Sequence, residues 1–150
     1  MGNTYTSLVV HLVFSTKDRA PLITAEHRER LYEYIGGIVR HERGSLLEIG
    51  GITDHVHLLV RHRASLSVSE MLRLIKGGSA HWMNQLPEVR QPFGWQNGYG
   101  AFSVSESRMA AVRKYIRSQE AHHAHRTYRD ELVALLRRHH IDYDEKYLLD

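Results

Sequence analysis

The chain has 150 residues, 42% of them hydrophobic and 25% charged, which suits one domain with its own core. It contains no cysteine, so disulfides and thiolate metal sites are excluded, and any metal must use imidazole, carboxylate or amide ligands. The net charge of +3 is uneven: residues 130–150 carry six acids and three bases, the rest seventeen bases and eleven acids.

A basic body suits a polyanionic partner. Sixteen of the twenty bases are Arg, whose fork of donors matches phosphate oxygens in pairs. A solvated surface explains such charge equally well. No apolar run approaches the ~18 residues that span a membrane. Met1 to Thr6 lacks a basic stretch followed by an apolar one, so no signal peptide is expected. A cytoplasmic protein without a membrane partner is the expectation.

Residues 7–14 form a β-branched apolar run of strand length. Thr24 is placed to cap a helix that runs through His41, with Leu31, Ile35, Ile38 and Val39 near helical spacing and Gly44 as the stop. Leu46 to Ile49 and Val56 to Val60 are two short strands, with Gly50, Gly51, Thr53 and Asp54 supplying the turn between them. Leu66 to Asn84 is a second helix. Pro87 and Pro92 bracket a loop, and Tyr99 to Val104 is a fourth strand. Glu106 to about His125 is a third helix, Thr127 to His139 a fourth.

The order β-α-β-β-α-β followed by helices predicts an α+β fold. It is the ferredoxin-like split β-α-β arrangement, an antiparallel sheet with two helices on one face. The other face is then open to a site or a partner. That fold hosts many activities, so function must come from the site.

Asp54-His55-Val56-His57-Leu58-Leu59-Val60 is the sharpest local pattern. On a strand, residues i and i+2 share a face, so His55 and His57 project together while Val56, Leu58 and Val60 enter the core. Paired imidazoles suit a metal, and Asp54 could orient one of them from behind. Two partly exposed strand histidines would satisfy the same pattern. His123 and His125 have the same spacing, but on a helix they splay by ~200°. His122, His123, His139 and His140 are therefore expected on the surface.

Tyr115 and Gln119 lie four apart on the third helix, on the border of the stripe formed by Met109, Val112 and Ile116. From there a phenol can reach a polar site, and an amide oxygen can complete a metal's coordination. A half-buried packing tyrosine and a surface amide are the alternative.

Asp54-His55-Val56-His57 followed by Lys114-Tyr115-Ile116-Arg117-Ser118-Gln119 resembles the HUH single-tyrosine transposases of the smallest bacterial insertion sequences, the IS200-like group. Thr16-Lys17, Leu74-Ile75-Lys76-Gly77-Gly78-Ser79 and Trp95-Gln96-Asn97-Gly98-Tyr99 are similar too, so the resemblance covers roughly residues 5–125. The tail from Leu135 to Leu149 looks like that of the REP-associated tyrosine transposase branch. The division implied is a transposase domain over 1–125 and a helical tail of the same domain over 126–150.

The resemblance implies cleavage and rejoining of single-stranded DNA beside a hairpin or repeat. His55, His57 and Gln119 would hold Mg²⁺ or Mn²⁺, and Tyr115 would attack the phosphate to give a 5′-phosphotyrosine. It also implies a homodimer in which one chain's tyrosine helix completes the other's site, with Ser103 to Ser107 as hinge. The sequence does not decide between completion within one chain and across two. Lys17, Arg19, Lys76 and Arg73, with Arg61 and Arg63, are candidate DNA-phosphate contacts. A nuclease-dead single-strand-binding module and an HUH replication initiator or relaxase are the competing readings. The first is disfavoured because Val56 to Val60 offers no aromatic for base stacking. The second usually brings a third histidine or extra domains.

Overall fold

The computed structural model describes residues 2–148. Met1, Leu149 and Asp150, which the expected domain limits include, lie outside the described residues. The chain orders as β1 (Val9–Ser15), α1 (Ala25–His41), β2 (Ser45–Ile52), β3 (His55–Arg61), α2 (Val68–Met83), β4 (Gly100–Ser103), α3 (Met109–Arg117), α4 (Gln119–His123) and α5 (Tyr128–Arg138). The four strands form one antiparallel sheet in the order β2-β3-β1-β4. This is the split arrangement expected from the sequence.

Local chemistry sets most of the boundaries. Ser67 caps α2 by accepting from the Glu70 amide at 3.1 Å, so the helix begins at Val68 and not at Leu66. Thr127 caps α5 in the same way, accepting from the Asp130 amide at 3.1 Å. Thr24 stands at the start of α1 in extended conformation but makes no side-chain cap. Gly50 and Gly51 belong to β2, which leaves Thr53 and Asp54 as the turn into β3.

The sheet divides its residues by parity. Leu12, Phe14, Val56, Leu58 and Val60 pack under Leu31, Ile35 and Val39 of α1 and Met71, Leu72 and Ile75 of α2. The second face was expected to be open; the chain covers it with its own C-terminal helices. Val13 and Phe102 pack against Tyr128, Leu132 and Leu135 of α5, while Val9 and Leu59 hold Ile116 of α3. Full burial of a side chain such as Ile116 is worth about 1.5–3 kcal/mol. Gly50 makes the α3 approach possible, since a Cβ there would stand 2.3 Å from the Ile116 carbonyl oxygen.

The third helix departs from expectation. It is broken at Ser118 (φ −101°, ψ 25°) into α3 and α4. The Ser118 hydroxyl donates back to the carbonyls of Lys114 (3.0 Å) and Tyr115 (3.2 Å), competing with the regular ladder.

Candidate active site

The site forms where the turn end of the β2–β3 hairpin meets the three C-terminal helices. His55 and His57 lie on the same face of β3 and are fully buried. Asp54, in the turn, accepts from His55 Nδ1 at 2.8 Å, leaving Nε2 to point inward. His57 Nδ1 meets His11 Nε2 at 2.8 Å, so β1 supplies the corresponding partner for the second ring. Both Nε2 atoms therefore face one small volume.

That volume is closed by groups from three helices. Gln119, 1% exposed, brings its Oε1 to 3.0 Å from His55 Nε2. Glu131 of α5, 2% exposed, places Oε1 at 3.1 Å from His55 Nε2 and 2.8 Å from His57 Nε2. His123 Nε2 reaches both Gln119 Oε1 and Glu131 Oε1 at 3.1 Å. The other carboxylate oxygen of Glu131 accepts from the Tyr115 hydroxyl and, at 3.0 Å, from Gln119 Nε2. One buried anion thus contacts three imidazoles, an amide and the phenol.

The electrostatics follow from this packing. Burial opposes ionisation of Glu131, but hydrogen bonds from His55 and His57 overcome it and hold the carboxyl far below the ordinary carboxylate range. Burial also opposes protonation of His55; the bonds to Asp54 and Glu131 outweigh it and push the ring up to about 9. His57 is pushed down, chiefly by burial, and His11 to about 3 by burial and then by neighbouring His57. Burial and the Glu131 carboxylate together raise the Tyr115 phenol well above its usual 10.

The donor set fits a hard divalent ion. His55, His57 and Glu131 offer three ligand atoms within 4.8 Å of one another. Neighbouring ligands around a six-coordinate ion with bonds near 2.1 Å are about 3.0 Å apart. The separations of 2.8–3.1 Å from the Glu131 oxygen to the His55 and His57 nitrogens match that spacing. The set of imidazole and carboxylate donors, without sulfur, suits a divalent ion.

The sequence-derived residues thus meet in part. Asp54, His55, His57, Tyr115 and Gln119 converge, all from one chain. Lys17 and Arg19 are exposed on a 3-10 turn, Lys17–Arg19, directly after β1. Lys76 and Arg73 lie on α2, across the sheet from the histidines. The Lys76 ammonium donates to the carbonyls of Gln96 (2.7 Å) and Gly98 (2.8 Å), and Arg73 pairs with Glu70. Arg61 pairs with Glu106 and Arg63 with Glu42.

Sequence reasoning missed three members. His123 was expected on the surface; the break at Ser118 turns α4 so that its side chain is only 4% exposed and enters the site. His11 was treated as part of an apolar strand. Glu131 left one legible trace: it stands with Tyr128, Leu132 and Leu135 on the apolar stripe of α5, where an acid is costly without partners.

A histidine pair on the central strand, facing a helical tyrosine across a metal-ready pocket, defines an HUH-type single-tyrosine DNA-processing enzyme. The comparisons agree. The chain matches the family model described as "Transposase IS200 like" over residues 4–119 and belongs to that family. It is 26% identical over 117 residues to the ISDra2 transposase TnpA of Deinococcus radiodurans, covering 75% of this chain and 84% of that protein. The crystal structure of a Deinococcus radiodurans protein assigned as a transposase is similar at 26% identity with a TM-score of 0.63. That match covers 77% of this chain and 94% of the other. A REP-associated tyrosine transposase bound to a REP hairpin shares the fold, with a TM-score of 0.57 and 15% identity. There the match covers 77% of this chain and 68% of the other. No helix among the described residues is long and apolar enough to cross a membrane.

Proposed function

We propose that this transposase cleaves and rejoins single-stranded DNA with Tyr115 as nucleophile, and that its metal is Mg²⁺ or Mn²⁺. The ion would be held by His55, His57 and Gln119, with Glu131 as a further, anionic ligand. The observation that carries this reading is the convergence of both histidine Nε2 atoms and two side-chain oxygens beside the Tyr115 hydroxyl.

When bound, the ion neutralises charge on the scissile phosphate and polarises it. The protein's own groups do the rest. Asp54 and His11 hold the two rings with Nε2 inward. Glu131 holds the phenol beside the pocket and is the nearest acceptor for its proton. Attack by the Tyr115 oxygen on phosphorus forms a phosphotyrosine bond and breaks the bond to the 3′ oxygen, which takes up a proton from water and leaves as a hydroxyl, balancing the proton given up by the phenol. The phosphodiester energy is conserved, so another 3′ hydroxyl can reverse the step.

The tyrosine and the histidines meet within one chain, which supports completion of the site in cis. A homodimer would then pair two self-sufficient sites. Mixing Tyr115→Phe with His57→Ala protein tests this: restored cleavage would mean that helices are exchanged. A hairpin or repeat end beside the cleavage site, Lys17 and Arg19 as phosphate contacts, and weaker roles for the engaged Lys76 and Arg73 complete the reading. The packing of α5 on the sheet supports treating residues 126–150 as part of the same domain. A cytoplasmic location follows from work on DNA.

The test is incubation with single-stranded DNA from the protein's own locus, followed by mass mapping. A metal-dependent adduct on Tyr115 is expected, lost in Tyr115→Phe while DNA binding persists. An adduct that survives this change would overturn the assignment.

A further inference from the structure

We infer that the cleft between β4, α3 and α5 is the track for the DNA segment that stays joined to Tyr115, a single strand gripped by Arg108 and Arg138. This rests on the proposed role of Tyr115 and adds to it a binding surface.

The cleft has a volume of about 500 Å³ and Tyr115 forms part of its wall. That lies within the range of roughly 300–1,000 Å³ typical of ligand clefts. Arg108 stands on one side, just before α3, and Arg138 on the other, at the end of α5. Among the described residues no carboxylate lines it. Most arginines near acids are already engaged: Arg61 with Glu106, Arg113 and Arg117 with Glu48, Arg129 with Glu145. Arg108 and Arg138 have no carboxylate within 4.0 Å among the described residues, and the nearby Glu106 is spent on Arg61 at 2.7 Å. Two guanidiniums without a carboxylate partner, lining one cleft whose wall includes Tyr115, complement a phosphate backbone.

The wall adds a second element of recognition. The His139 ring stacks on Phe102, with centroids 4.4 Å apart and planes at 26°. Its Nδ1 is tied to the Leu135 carbonyl at 2.8 Å, so the ring is held flat. A fixed aromatic surface beside two cations is how sequence-tolerant single-strand binders take a base. In-line geometry sets the polarity. The departing 3′ oxygen leaves on the side of phosphorus opposite Tyr115, and the strand then bonded to Tyr115 is the one that keeps the 5′ phosphate, so a cleft walled by Tyr115 is placed to hold that segment.

The experiment measures binding of fluorescein-labelled oligo-dT by anisotropy across a range of salt, using the full chain and its Arg108→Ala, Arg138→Ala and Arg137→Ala variants. Each cleft arginine should weaken binding several-fold and reduce the slope of log affinity against log salt by about 0.7, the value for one phosphate contact on a single strand. Arg137→Ala, outside the cleft, should change neither. Unaltered slopes in both cleft variants, or an equal loss in Arg137→Ala, would overturn the track. Adduct formation on locus DNA is measured alongside. Slopes that fall without any wild-type adduct would uphold the cleft and remove the chemistry; an adduct with unaltered slopes would do the reverse.

Discussion

His11 Nε2 and His57 Nδ1 are 2.8 Å apart, so a histidine on β1 engages the ring nitrogen of His57 that faces away from Glu131. With a metal on Nε2, the His57 proton would sit on Nδ1 and be donated to His11. Replacing His11 by Phe should weaken Mn²⁺ binding by about 10–100-fold, the usual effect of losing a partner behind a ligand. His11→Gln, which offers an acceptor, should recover part of the loss. Titration followed by the Mn²⁺ EPR signal, with ¹⁵N shifts reporting the His57 tautomer, separates this from simple misfolding. Equal affinities in wild type and His11→Phe would remove the role.

His11 also predicts an acid-side stability profile. In the folded, chelator-treated protein it protonates only near pH 3, against 6.5 in the unfolded chain. Above pH 6.5 both states are neutral there and nothing is lost. From about 6.5 down to 3 the unfolded chain takes up a proton that the folded chain does not, so this contribution falls with pH. The urea midpoint of His11→Gln should decline less steeply over that window; parallel profiles would contradict the prediction.

Mn²⁺ at a hundred times its dissociation constant should stabilise the fold by about 2.7 kcal/mol. At about 2–4 °C per kcal/mol for a chain of this size, the rise in melting temperature should be readily seen by calorimetry. Excess EDTA should reverse it, and His57→Ala should show none. A full shift in His57→Ala would place the metal elsewhere.

Glu131 is the anion around which the site closes. Glu131→Ala leaves the His55 imidazolium and the Gln119 amide without their buried partner. A loss of about 3–5 kcal/mol is expected in chelator-treated protein, read from urea unfolding. Glu131→Gln keeps the shape and should lower Mn²⁺ affinity while losing less stability. A tighter metal in Glu131→Gln would show that the carboxylate competes with the ion and does not bind it.

Gly50 sets the height of the tyrosine helix. A methyl at this position would meet the Ile116 carbonyl oxygen at 2.3 Å, so Gly50→Ala must lift α3 from β2. A cost of about 1–3 kcal/mol is expected. Adduct formation should fall more than binding, because displacing a nucleophile by an ångström can cost ~10²-fold. Wild-type turnover in a folded Gly50→Ala protein would argue against a critical α3 position.

The parts that could be seen in the sequence were those with a short period. Alternation placed His55 and His57 on one face and Val56, Leu58 and Val60 on the other, and the structure repeats that division. Turn and cap residues located the helices to within a few positions. Tyr115 and Gln119 were found by family likeness, since a phenol and an amide four apart have many uses. The break at Ser118 was invisible because neither Gly nor Pro marks it; a hydroxyl competing for carbonyls does the work. His123 was lost with that break. Glu131 is 74 residues from His57, and only tertiary packing brings the two together.

The family match ends at residue 119, yet Glu131 comes from α5 beyond it. The centre is therefore keyed by a segment that a minimal version of the protein would discard. Cutting the chain back to the shared domain would not yield a smaller copy of the same catalyst. It would strand His55, His57 and Gln119 without the carboxylate that gathers them, and uncover Val13 and Phe102 on the sheet. Reshaping this helix is a route by which such a chain could retune the pocket around His55, His57 and Tyr115 without altering any of the three.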